Sequence, residues 1–168
     1  MLKKNETSKM SSMQVVNFKV GGEEYGIEIL KVQEILKLPK ITKLPKSADY
    51  IIGIIDLRGQ VIPIIDLGKR FGIKINVKES DLRAIVVDIN GKKVGLAIDS
   101  VSHVVRVEGK DIEPPPPIVK GISGRYIIGI AKIDSGFVVI LDITQIFSVE
   151  ELMHLNKNVG NKDKDTIQ

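Results

Sequence analysis

Tyr50-Ile51-Ile52-Gly53-Ile54, a turn, an apolar run, Asp66 and Phe71 return as Tyr126-Ile127-Ile128-Gly129-Ile130, a turn, an apolar run, Asp142 and Phe147, so residue 50 matches residue 126. Upstream of these blocks, Val16, Phe18, Val20, Gly22, Gly26, Ile27, Ile29, Val32 and Ile35 match Ile85, Val87, Ile89, Gly91, Gly95, Leu96, Ile98, Val101 and Val104, so there residue 16 matches residue 85. The difference between the two offsets belongs between the blocks. The segment Glu113 to Gly121, with prolines at 114, 115, 116 and 117, is the natural place for it. A duplicated unit of about seventy residues is too long for a solenoid repeat and suits a small barrel.

Each copy reads as strands and tight turns. Val16, Phe18 and Val20 alternate with polar neighbours, Gly21-Gly22 supplies a turn, and Tyr25 to Ile29 returns. In the second copy the turn is Asn90-Gly91, a strong hairpin signal because both central residues need positive φ. The amphipathic segments Ile29 to Ile35 and Ile98 to Val104 carry apolar residues at i, i+3 and i+6, as one helical turn or a twisted strand would. Pro39 and Pro45 bracket a loop or edge strand. Ile51 to Leu57 and Gln60 to Ile65 flank Arg58-Gly59, and Ile127 to Ile133 and Phe137 to Leu141 flank Asp134-Ser135-Gly136. These runs are apolar on both faces, as inner barrel walls or a seam between barrels are. Asp66 and Asp142 precede short helical patterns as N-caps, and Ser148-Val149-Glu150-Glu151 has capping-box spacing for a final helix.

The expected fold is all-β: two SH3-like five-stranded barrels packed together, with short helical turns and an apolar groove where they meet. The expected boundaries are flexible tails at 1–13 and 156–168, a folded domain at 14–155 with barrels at about 14–79 and 80–147, and a short helix at about 149–155.

Among 168 residues, 43% are apolar and none is cysteine, which removes disulfides and thiolate chemistry and fits a reducing cytosol. Residues 1–13 are polar and lack the apolar stretch of a signal peptide, and no run approaches the length of a spanning helix. A cytoplasmic protein is expected. The formal net charge is +4, yet Lys3, Lys4, Lys9, Lys157, Lys162 and Lys164 put most of it on the tails. With no Trp and 4% aromatic residues, the chain lacks the stacking platforms of a nucleic-acid reader.

Chemistry finds little support. His103 occupies the repeat position of Glu34, and His154 lies near the end of the last predicted helix; a surface histidine and a helix-end cation account for both. No metal-binding spacing occurs. Asp66 and Asp142 are a symmetric carboxylate pair, but capping explains each and no base, nucleophile or oxyanion donor stands nearby in the sequence. Pro114 to Pro117 reads as a stiff connection rather than a ligand for a proline-binding domain. No catalytic residue, metal or cofactor is expected. Arg58, a long cation at a turn tip between apolar strands, is either an ordinary solvated turn residue or an interface arginine. Glu34, between apolar Val32 and Ile35, poses the same choice.

Val32-Gln33-Glu34-Ile35, Ile52-Gly53-Ile54-Ile55-Asp56-Leu57-Arg58-Gly59-Gln60-Val61-Ile62-Pro63-Ile64-Ile65-Asp66-Leu67, and Tyr126 to Lys132 with Val138 to Ile143 resemble the CheW family of bacterial chemotaxis coupling proteins. The resemblance runs from about Gln14 to Leu155; Asp56 departs from it, since many members carry asparagine there. It implies an adaptor that bridges transmembrane chemoreceptors and the regulatory domain of the histidine kinase CheA. The chain would be a monomer in isolation, recruited from the cytoplasm to receptor arrays. The resemblance places Val32, Glu34 and Ile35 at a receptor groove, with Val16 and Ile29 behind them and Val101 and Val104 as counterparts. It places Leu57, Arg58 and Gly59 at a kinase or signalling contact. An adaptor of a chemosensory pathway other than swimming is the alternative; a small enzyme would need a polar constellation in the groove.

Overall fold

The computed structural model describes residues 12–45, 47–74, 77–115, 126–134 and 136–146. Eleven strands run in chain order: β1 (Ser12–Val20), β2 (Glu23–Glu28), β3 (Val32–Lys37), β4 (Ile51–Leu57), β5 (Gln60–Asp66), β6 (Arg83–Ile89), β7 (Lys92–Ile98), β8 (Ser100–Glu108), β9 (Ile112–Glu113), β10 (Ile127–Ile133) and β11 (Gly136–Leu141). Helix α1 (Leu67–Phe71) follows β5 and helix α2 (Ile143–Ile146) follows β11. The helix predicted near residues 149–155 and most of the proline segment lie outside the described residues.

The strands form two sheets, a six-stranded one in the order β8-β1-β2-β11-β10-β9 and a five-stranded one in the order β3-β6-β7-β5-β4. The expectation of two small β-barrels holds, but a division at residues 79 and 80 does not describe them. The first copy's hairpin, β1–β2, pairs with β8 and β11 of the second copy. The second copy's hairpin, β6–β7, pairs with β3 and β5 of the first. Chain geometry explains the exchange. Only Asp99 separates β7 from β8, and a hairpin needs at least two loop residues, so β8 must leave its predecessor's sheet. The three-residue 3-10 turn Ile29–Lys31 carries β2 of the six-stranded sheet into β3 of the five-stranded one. The crossing at Asp99 is pinned to the other hairpin: its N–H donates to the Lys19 carbonyl at 2.9 Å, and its Oδ2 accepts from the Gly21 N–H at 3.0 Å.

The sixth strand of the larger sheet also has a counterpart. β9 pairs with Ile130 and Ala131, while in the other sheet Thr42 makes a single antiparallel bridge to Ile54, the repeat partner of Ile130. This explains the repeated glycine of the Tyr-Ile-Ile-Gly-Ile block. A Cβ on Gly53 would lie 2.4 Å from the Thr42 carbonyl oxygen, and one on Gly129 would lie 2.8 Å from that of Glu113. Both glycines adjoin an irregularity in strand register that lets the crossing segment approach.

Among the described residues, three apolar cores result. Ile55, Ile62, Ile64, Ala84, Val86 and Ala97 fill the five-stranded barrel, and Val15, Val107, Ala131 and Ile140 fill the six-stranded one. The largest lies between the barrels and draws on both, from Phe18, Tyr25 and Ile27 to Phe71, Ile85, Leu96, Leu141 and Ile146. Each fully buried side chain of this size contributes about 1.5–3 kcal/mol relative to exposure, so the pair folds as one body. An aromatic series crosses it: Phe18 to Tyr25 at 6.2 Å, Tyr25 to Phe71 at 5.8 Å, and Phe71 to Tyr126 at 6.2 Å between ring centroids.

The two helices meet through Arg70. Its Nε and Nη2 donate to the Ile146 carbonyl at 3.0 and 2.7 Å, and its guanidinium lies 5.4 Å from the Tyr50 ring centroid and 5.7 Å from that of Tyr126. Tyr50 and Tyr126 are repeat partners, and so are positions 70 and 146. One arginine therefore bridges the two copies at their junction.

Candidate functional site

The alternation of β3 sorts the predicted surface residues onto two faces. Ile35 is opposite Ile85, a member of the inter-barrel core, whereas Glu34 and Leu36 are opposite Val86 and Ala84 of the barrel interior. Ile35 thus looks toward the neighbouring barrel and is 40% exposed. Glu34 looks the other way, to the mouth of its own barrel.

At that mouth stands the tip of the β4–β5 hairpin. Leu57 pairs with Gln60, leaving Arg58 and Gly59 as a two-residue loop with φ of 51° and 86°, the double positive φ of a type I′ turn. Asp56 Oδ1 accepts from the Gly59 N–H at 2.8 Å and stiffens the turn. The β6–β7 hairpin has the same construction, with Asn90 and Gly91 at 53° and 86° and Asp88 Oδ1 accepting from Gly91 at 2.7 Å. A non-glycine residue at positive φ is uncommon, and at Arg58 it aims the side chain across to β3. The guanidinium meets Glu34 as a fork: Nη1 donates to Oε1 at 3.1 Å, and Nη2 to Oε2.

This pair joins the two end strands of the five-stranded sheet, β3 and β4, through side chains where no backbone ladder connects them. The hydrogen bonds from Arg58 hold the Glu34 carboxyl below the usual glutamate range, with help from the charge of Lys93. Glu34 in turn raises the guanidinium's pKa. Lys93 itself donates to Gln60 Oε1 at 2.9 Å, which extends the polar patch around the tip. The family resemblance implies separate surfaces for Glu34 and Arg58; in the structure the two side chains form one ion pair. The repeated Asp-x-x-Gly pattern, Asp56 to Gly59 and Asp88 to Gly91, carried the signal for both turns.

The other residues that the family resemblance implies for a groove differ in burial. Val16 is 1% exposed and lies opposite Val104, so it supports that residue and meets no partner. Val32 and Val101 are half-buried against the shared core just beyond the two crossings. Val104 is 47% exposed, and its repeat partner Ile35 is 40% exposed. Ile29 lines a cleft of about 450 Å³ with Met13, Gln14, Leu30 and Arg106. The duplication therefore presents the same apolar position twice, once on each barrel.

Asp66 and Asp142 act as caps, accepting from the Lys69 N–H at 3.0 Å and the Thr144 N–H at 3.1 Å. His103 is exposed on β8, His154 lies outside the described residues, and among the described residues no group of three His, Cys, Asp or Glu side chains is arranged to hold a metal. No described helix is long and apolar enough to cross a membrane.

Two interlocked barrels with exchanged hairpins and paired exposed faces define a double-barrel class of β protein. A family model for the CheW-like domain matches residues 14–151. The chemotaxis protein CheW of Treponema pallidum is 35% identical over 146 residues, covering 84% of this chain and 86% of the relative. That of Klebsiella aerogenes is 33% identical over 135 residues, covering 80% and 81%. The crystal structure of the scaffolding protein TtCheW from Thermoanaerobacter tengcongensis superposes with a TM-score of 0.75 at 43% identity, covering 82% of this chain and 88% of that one. The chain belongs to the CheW-like family.

Proposed function

We propose that this chain is a chemotaxis adaptor that couples transmembrane chemoreceptors to a CheA-type histidine kinase. The observation that carries the reading is the match to CheW proteins across almost the entire double barrel, together with two exposed and chemically different elements on it. The apolar one comprises Ile35 and Val104, set on the strands that leave the crossings, with Val32, Val101 and Ile29 beside them. It suits the apolar stripe of a receptor's amphipathic helix, the mode in which a helix fills a groove. The polar one is the Leu57-Arg58-Gly59 tip, braced by Glu34, and it suits the regulatory domain of the kinase.

The adaptor works by geometry. Both elements belong to one body because the barrels share a core and exchange hairpins. A receptor held in the groove and a kinase held at the tip therefore keep a fixed relation, and a receptor's conformational bias becomes a bias on the kinase. The cytoplasm, at receptor arrays, is the compartment this role requires. Autophosphorylation of the cognate kinase, with receptor signalling fragments and with or without this protein, tests the reading. A large rise only when all three are present is expected. No change with a verified partner set would reject receptor–kinase coupling and leave the adaptor of another chemosensory pathway as the reading to pursue.

A further inference from the structure

The stripe that carries Ile35 on β3 and Ile85 on β6 ends in two cations, one on each strand, without an ion pair among the described residues. Two residues beyond Ile35, Lys37 stands opposite Arg83 on β6. Residues directly opposed in an antiparallel pair share a face, so Ile35, Ile85, Lys37 and Arg83 form one stripe facing the inter-barrel side. Like charges in direct opposition are destabilising. Among the described residues, neither Lys37 nor Arg83 has an ion pair or a side-chain hydrogen bond to relieve the repulsion.

The duplication repeats half of this arrangement. Val104 holds the repeat position of Ile35, and Arg106, two residues on and on the same face, holds that of Lys37. Arg106 lines the cleft with Glu28, Ile29 and Leu30, and no ion pair joins it to Glu28. Its charge is only partly offset: Nε lies 3.6 Å from Glu108 Oε1 with the side chain 70% exposed, and Nη2 lies 3.3 Å from Ser12 Oγ. The apolar positions at the centre are thus flanked on each barrel by a cation. Packing does not call for cations at these places, and at Lys37 and Arg83 the free chain is worse off for having them.

We infer that the groove takes an amphipathic helix whose apolar stripe is flanked by carboxylates, one meeting Lys37 and Arg83 and another meeting Arg106. The inference rests on the receptor reading above and adds the charge pattern the partner must carry. Ile35 and Lys37 are separated by about 6.8 Å along the strand, against 5.4 Å for one helical turn. For a helix lying along β3, the acidic residue falls about one turn from the apolar anchor. Repulsion between Lys37 and Arg83 then becomes attraction once a carboxylate docks between them.

The test uses the full chain and the soluble cytoplasmic signalling hairpin of a chemoreceptor from the same organism, with affinity measured across a salt series. Lys37→Glu is expected to raise the melting temperature of the free protein by about 1–3 °C, because a repelling pair becomes an attracting one. The same change is expected to weaken receptor binding about tenfold at low salt. Lys37→Gln with Arg83→Gln is expected to flatten the salt dependence, and so is neutralising the receptor's flanking acids. Suppose that Ile35→Asp abolishes binding while Lys37→Glu binds as wild type at every salt concentration. The groove reading then stands and the acidic-flank inference falls. Wild-type binding by both variants would remove both. If Lys37→Glu lost affinity for anionic lipid vesicles or for DNA and kept its affinity for the receptor, the carboxylate partner would be the wrong one.

Discussion

Glu34 on β3 and Arg58 at the β4–β5 tip form a two-pronged ion pair between strands that lie at opposite ends of their sheet. Arg58 is thereby more than a solvated turn residue, since its positive φ and its fork of hydrogen bonds fix the direction of the tip.

The pair gives a pH dependence whose sign follows from the lowered Glu34 pKa. A carboxyl depressed in the folded state contributes stability that is present above its unfolded value, here the ordinary glutamate value of 4.5, and lost as pH falls through the folded one. Titration of the Glu34 carboxyl by NMR should show a midpoint below 4.5 that returns to the ordinary range in Arg58→Gln. Both side chains are solvent-facing, so Arg58→Glu should leave the melting temperature nearly unchanged while kinase control falls. Glu34→Arg combined with Arg58→Glu should recover part of that control.

Ile35→Asp and Val104→Asp place a charge at the two equivalent exposed apolar positions. Each should shift stability by less than about 1 kcal/mol. Each should also weaken receptor binding by more than about tenfold, as loss of an apolar anchor does. Titration calorimetry against a receptor fragment, beside urea unfolding of each variant, separates the two effects.

Substitution at Gly129 should fail for a steric rather than a conformational reason. Gly129→Ala brings a Cβ to 2.5 Å from Ile112 Cγ2 and 2.8 Å from the Glu113 carbonyl oxygen, so β9 must move, at a cost of about 2–3 kcal/mol. Gly59→Ala has open space around its Cβ but a φ of 86°, and should cost about 1 kcal/mol. Equal losses in urea unfolding would remove the distinction.

Among the described residues, Asn17 is the one buried polar residue, and neither its Nδ2 nor its Oδ1 has a protein partner. Its repeat counterpart in the other barrel is Val86, 1% exposed. Asn17→Val should therefore raise unfolding stability by about 1–2 kcal/mol. A loss would show that the amide is satisfied within the barrel.

Much of this protein is written locally. The alternation of Val16, Phe18 and Val20, the Asn90-Gly91 turn, the caps at Asp66 and Asp142 and the twofold Tyr-Ile-Ile-Gly-Ile block each fix a strand, turn or helix start from neighbouring residues alone. Those features sufficed for two barrels and for which side chains face inward. Which hairpin completes which barrel was not legible, because the copies are alike and each hairpin fits either sheet by pattern. The single-residue link at Asp99, too short to turn back, forces β8 out of the sheet of β7, and the 3-10 step from β2 to β3 completes the exchange. The tertiary structure likewise decided that Glu34 pairs with Arg58, a partner 24 residues away, and that Lys37 confronts Arg83. Period-two alternation tells which residues of a strand share a face, but strand pairing across the chain determines what that face meets.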